Sequence, residues 1–236
     1  MRLRKNILYI IIIFLAACSP EYTLQSYNND VIGVQNEIDS SILNIIRPYK
    51  HKIVEQMDEV LTYTKSDLEK GKPQSTIGNF VTDLCLNYAD AHLCVMNNGG
   101  LRTTINKGEI NRRKLYELMP FENELVILEL DQDDYIGLLR YIVRRGGEPF
   151  SGIKITINQN YQLLSHSWPV NFRNGEKVKI LTSDYLANGG DSMTFFKGKK
   201  QHKVGIKLRD AIIEYCKNTD TIDVQLDNRI TIIDDE

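Results

Sequence analysis

Histidine and cysteine, the side chains that most often hold metal, are scarce here, with four of each in 236 residues. Cys18, Cys85, Cys94 and Cys216 form no C-x-x-C and no Cys/His cluster with zinc spacing, which argues against a structural zinc. They are also too sparse for a disulfide framework. An oxidising compartment would allow a Cys85–Cys94 bond, but buried free thiols are the expectation for both. His51, His92, His166 and His202 are scattered without partners at ligand spacing. Asp90-Ala91-His92 is a D-x-H, yet nothing downstream completes a dinuclear site. No P-loop, dinucleotide fingerprint or nucleophile elbow is present. Charge of one sign is lacking too: the net charge is −2, so there is no basic footprint for a nucleic-acid polymer. Arg112-Arg113-Lys114 is one short basic run and reads as a solvated face.

What remains is a globular composition, 25% charged and 42% hydrophobic, with room for one domain and an export segment. Arg2, Arg4 and Lys5 precede an apolar run, Ile7 to Ala17, that has signal-peptide length and is short for a membrane span. It ends Leu15-Ala16-Ala17-Cys18, which resembles the lipobox of bacterial lipoproteins. An ordinary signal peptide followed by a coincidental cysteine would read the same way. The resemblance implies cleavage after residue 17 and lipid on Cys18, and the polar, aperiodic stretch that follows reads as a tether over 18–37 leading to a domain over 38–236. The protein would then be anchored by lipid in a bacterial cell envelope, facing the periplasm or the cell surface.

Along the domain, helical and strand patterns mix without a βαβ rhythm, which points to α+β. Asp39 or Ser40 caps a helix carrying apolar residues from Ile42 to Leu61, with a kink or broken turn expected at Pro48. A strand is expected within 59–66 and a helix over 79–89 capped by Ser75 or Thr76. Further on come a strand at 93–96, a helix at 111–119 and a strand at 124–130. Asp131 to Asp134 opens a helix reaching Arg145, its carboxylates favoured by the helix dipole rather than forming a calcium loop. Strands are expected at 152–157, 178–181 and 230–233, a helix over 204–217, and a short strand near 31–34.

The chain is organised around Val95-Met96-Asn97-Asn98-Gly99-Gly100-Leu101-Arg102. Asparagine and glycine permit sharp turns and close backbone approach, and a plain tight turn would use the same residues. Arg102, just beyond, offers a planar fork suited to a phosphate or a ribose oxygen. Residues 182–193 repeat the theme, with Asn188-Gly189-Gly190 flanked by Tyr185 and Asp191. An aromatic ring and a carboxylate are what a nucleoside requires, since one stacks on the base and the other accepts from ribose hydroxyls. Phe121, after Pro120, would be a second aromatic wall.

Four segments in order resemble the C-terminal, substrate-binding domain of the 5′-nucleotidases: I-G-N-F-V-T-D-L at Ile77 to Leu84, N-N-G-G-L-R at Asn97 to Arg102, L-Y-E-L-M-P-F at Leu115 to Phe121, and L-A-N-G-G-D at Leu186 to Asp191. The resemblance covers roughly Ser40 to Phe196. It implies that Phe121 and Tyr185 sandwich a base, Asn97 meets the base edge, Arg102 the ribose or phosphate, and Asp191 the ribose hydroxyls. Tyr185 stands where many members carry Phe, which adds a hydroxyl. A further family arginine, upstream of the G-N-F-V segment, has only Lys72 as a rough counterpart. Complete members hydrolyse phosphate esters with two metal ions held in a separate N-terminal domain. The expectation is therefore a nucleotide-binding component with no cofactor of its own, divalent metals belonging to a metallophosphatase partner. A non-catalytic nucleoside- or nucleotide-binding lipoprotein is the alternative.

Overall fold

The computed structural model describes residues 40–234, and the chain divides into a small N-terminal unit, Met1–Ile45, and a main unit, Ile46–Glu236. The expected signal segment, the lipidated Cys18, the tether and the strand near 31–34 lie outside the described residues. Helix α1 spans Ser40–Met57 and runs on through Pro48 without the broken turn expected there, and none of its residues is buried.

Helix starts elsewhere follow side-chain caps. The Ser75 hydroxyl accepts from Gly78 N at 3.0 Å, an interaction typically contributing about 1 kcal/mol. Helix α2 (Thr76–Leu86) therefore starts three residues before the expected Asn79 and turns Ile77, Phe80, Val81, Leu84 and Cys85 inward. Asn111 caps α3 (Arg112–Leu118) through Lys114 N. Asp131 caps α4 (Gln132–Arg144) through Asp134 N, and Asp134 pairs with Lys199. The acidic run is thus a helix start.

The central sheet has five strands in the order β5-β2-β8-β4-β9, comprising Phe150–Ser151, Leu93–Val95, Val178–Ser183, Glu124–Leu130 and His202–Lys207. Strand alternation sends its side chains to two cores. Cys94, Leu125 and Leu181 face one core, built with α2, α3 and α6 (Leu208–Lys217). Leu93, Val126, Leu128 and Ile180 face the other, built with α4. Two further sheets have three strands each. One joins β1 (Val60–Thr64) to β3 (Gly108–Asn111) and β10 (Thr221–Ile222), and the other joins β6 (Ile155–Asn158) to β7 (Leu163–His166) and β11 (Ile230–Ile233). The architecture is α+β, as expected.

Two expected elements are different. The strand over 152–157 is split: β5 pairs with β2, while β6 begins at Ile155 in another sheet. Gly152 turns between them with φ +90°, so close to β2 that an added Cβ would lie 2.2 Å from His92 O. The helix over 204–217 starts only at Leu208. Residues 202–207 instead form β9 on the β4 edge, where Val126 pairs with Lys203 and Ile127 with His202. Edge pairing and the left-handed Gly205 (φ +92°) override the helical spacing there. Cys85, Cys94 and Cys216 are free and buried, and burial pushes the Cys216 thiol up to about 12.

Candidate functional site

Sheet register decides what meets at the carboxyl end of β8. Strands β2 and β8 run parallel, Leu93 beside Ile180 and Cys94 beside Leu181, so both chains leave the sheet side by side. Strand β4 runs antiparallel to β8 with Leu125 opposite Ser183, which brings its entering segment to that same end. The loops leaving β2 and β8 and the segment entering β4 therefore lie together at one end of the sheet. Here they enclose a cleft of about 320 Å3, lined by Asn97, Gly99, Gly100, Arg102, Phe121, Asn123, Tyr185 and Asp191. All five residues singled out in the sequence border this one cleft. A volume of that order suits a small organic ligand.

Each loop is held from behind. Thr182 Oγ1 donates to Val95 O at 2.8 Å, tying β8 to the root of the first turn. Within that turn Gly100 N donates to Asn97 O at 3.0 Å, and a Cβ on Gly100 would sit 2.7 Å from Asn97 Oδ1. The Glu148 carboxylate, wholly buried, accepts from Asn98 N at 2.7 Å and from Arg145 Nε at 3.0 Å. On the second loop Arg209, buried on α6, donates to Met119 O and Phe121 O, pairs with Glu122 and stacks 4.2 Å from the Tyr116 ring. That grip fixes the turn presenting Phe121, a residue left 40% exposed and so open to solvent at the cleft. The Arg102 guanidinium lies 5.9 Å from the Phe121 ring centroid and donates to Gly99 O at 3.2 Å.

The third loop carries Tyr185 on the short helix α5 (Asp184–Ala187), capped by Ser183, followed by a tight turn at Gly190–Ser192. Asp191 adopts φ +48° and Ser192 φ +66°, consecutive left-handed conformations unusual for non-glycine residues. Asp191 accepts from Asn97 Nδ2 at 2.5 Å and from the Tyr185 hydroxyl at 3.3 Å, while its carbonyl accepts from the Tyr141 hydroxyl at 2.7 Å.

Sequence reasoning missed Asn123, Tyr141, Glu148 and Arg209. Only Asn123 had a local signal, two residues past Phe121. The others act from a distance in sequence that no spacing reveals. Lys72 does not border the cleft, and its ammonium donates to Arg145 O. The D-x-H is used structurally: Asp90 pairs with Lys179 Nζ at 2.6 Å and His92 Nδ1 accepts from Lys179 N at 2.9 Å. His166 lies in an aromatic cluster, 4.2 Å from Trp168. Among the described residues no group of three or more His, Cys, Asp or Glu is placed to hold a metal ion. A larger depression of about 730 Å3 lies beside Trp168, where Trp168 and Phe172 pack edge to face, 5.7 Å apart, and so do not form a pair of parallel walls.

The fold is thus an α+β domain with one cleft bordered by two aromatic side chains, two amides, a guanidinium and a carboxylate. The chain belongs to the 5′-nucleotidase C-terminal domain family, whose model matches residues 56–198. It is similar to a 5′-nucleotidase of Vibrio vulnificus, at 24% identity over 82% of this chain and 37% of that protein. It is also similar to an apyrase of Tabanus yao, at 25% identity over 87% of this chain and 45% of that one. The chain thus spans less than half the length of these relatives. In fold it resembles the crystal structure of a 5′-nucleotidase precursor from Thermus thermophilus, with TM-score 0.68, 22% identity and coverage of 83% of this chain and 43% of that one.

Proposed function

We propose that this chain is the nucleotide-binding component of a 5′-nucleotidase-type hydrolase, acting in nucleotide catabolism. The observation carrying this reading is the meeting of Phe121, Tyr185, Asn97, Arg102 and Asp191 around one cleft. The base lies between the two rings, Asn97 reaches its edge, Asp191 accepts from ribose hydroxyls and Arg102 holds the ribose or phosphate side. Each ring contributes about 1–3 kcal/mol by stacking. With a few hydrogen bonds the total reaches about 8 kcal/mol, a micromolar affinity. Divalent metals and the attacking water belong to a metallophosphatase domain or chain, towards which the bound nucleotide presents its phosphate. Lipid on Cys18 holds the protein at a bacterial membrane, facing the periplasm or the cell surface.

Calorimetry with AMP, adenosine and UDP-glucose is expected to show micromolar binding, weakened at least tenfold by Phe121→Ala. Hydrolysis with manganese or zinc is expected only when a metallophosphatase is added. Absence of nucleotide binding would overturn the reading, and hydrolysis by the chain alone would overturn the division of labour. Binding without any stimulation of a phosphatase partner would favour a non-catalytic nucleotide-binding lipoprotein. Cys18→Ala is expected to move the protein from the membrane to the soluble fraction, and membrane retention would reject the anchor.

A further inference from the structure

The Tyr185 hydroxyl is placed for more than carrying a ring. It donates to Asp191 Oδ1 at 3.3 Å and accepts from Asp191 N at 3.2 Å, gripping one residue through both side chain and backbone. Asn97 Nδ2 holds the other carboxylate oxygen, Oδ2, at 2.5 Å. From beneath, the Tyr141 hydroxyl anchors the Asp191 carbonyl at 2.7 Å. These contacts hold a residue whose backbone, φ +48° and ψ +30°, an unbraced aspartate seldom adopts. An ionised carboxylate offers about four acceptor positions. The tyrosine and the asparagine occupy one on each oxygen, leaving one on each for a ligand. Two acceptors side by side, fixed in direction, match the paired hydroxyl donors of a cis-diol.

We propose that Tyr185 is a positioning residue for ribose recognition: its hydroxyl fixes the Asp191 carboxylate so that the cleft selects ribonucleosides over sugars lacking the 2′,3′-diol. This rests on the nucleotide-binding reading above and adds a role for the hydroxyl distinct from that of the ring. The same side chain then couples two recognition events, since a base that moves the ring also moves the carboxylate reading the sugar. Phenylalanine at this position keeps the wall and releases Asp191 Oδ1.

The test compares adenosine with 2′,3′-dideoxyadenosine, and uridine with 2′,3′-dideoxyuridine, by calorimetry on the wild-type chain, Tyr185→Phe and Tyr185→Ala. The wild type is expected to prefer the ribonucleosides. Tyr185→Phe is expected to weaken them roughly threefold to tenfold, the effect of one ordinary lost hydrogen bond, while dideoxynucleoside affinity changes by less. Tyr185→Ala is expected to weaken both classes, because the wall itself is gone. An unchanged ribo-to-dideoxy ratio in Tyr185→Phe, or an equal loss for both ligands, overturns the proposal while leaving nucleotide binding intact. Failure of the wild type to bind any of the four ligands overturns the underlying reading instead.

Discussion

Gly190 has no room for a side chain. A Cβ there would lie 2.4 Å from Tyr185 Cε1 and 2.5 Å from Cζ, because the ring lies across this residue to reach Asp191. Gly190→Ala must push the ring aside, although the backbone at 190 is not left-handed. Nucleoside affinity is expected to fall about tenfold or more, the scale of one stacking contact, with little change in melting temperature. Calorimetry beside a thermal melt checks this, and retained affinity would show that the ring's position is unimportant. The glycine in L-A-N-G-G-D thus leaves room for the Tyr185 ring, a role its turn-forming character in the sequence leaves unstated.

Elements read from spacing were placed well where a cap or an alternation was decisive. Asp131 and Ser75 start their helices, and β4 alternates as its sequence requires. Spacing fails where tertiary contact overrides it. Residues 204–207 carry helical spacing but complete the β4 edge. Helix α1 has an apolar stripe, yet Ile46, Tyr49 and Ile53 remain 47%, 69% and 54% exposed, so periodicity identifies the helix and not what covers it. Gly152 marks the corner between two sheets. Gly152→Ala combines a left-handed φ with a Cβ 2.2 Å from His92 O, and is expected to cost about 2 kcal/mol or more in a urea melt. A loss below about 0.5 kcal/mol would mean the corner relaxes freely.

At the scale of the whole molecule, Arg229 ties the C-terminal strand to α2 and the central sheet. Its guanidinium, 7% exposed, reaches Asp83 at 2.9 Å, Asp227 at 2.8 Å and Phe150 O at 2.6 Å. Hydrogen bonding from Arg229 holds the Asp227 carboxyl below its usual value. A depressed folded pKa stabilises the fold above the unfolded value and is lost as pH falls through the folded one. Wild type is therefore expected to exceed Asp227→Asn in stability at neutral pH, the gap closing below about pH 4. Asp227 is half exposed, so screening keeps the gap near or under about 1 kcal/mol. Melts of both proteins between neutral and acid pH check this, and a gap independent of pH would exclude the charge as its cause. Nothing near Arg229 in sequence announced its partner Asp83, which lies 146 residues away.

Four segments in order, I-G-N-F-V-T-D-L, N-N-G-G-L-R, L-Y-E-L-M-P-F and L-A-N-G-G-D, sufficed to indicate the family and the five cleft residues, and the mixture of helical and strand patterns the α+β class, because turn chemistry, periodicity and aromatic-plus-acid composition are local properties. Tertiary structure alone decided that the three loops meet, since that depends on the parallel register of β2 with β8 and the antiparallel register of β4. It also decided that Asp191 is held from three sides by Asn97, Tyr185 and Tyr141. Hydrogen bonds between residues 50 and 94 positions apart exist only once the sheet has brought those positions together.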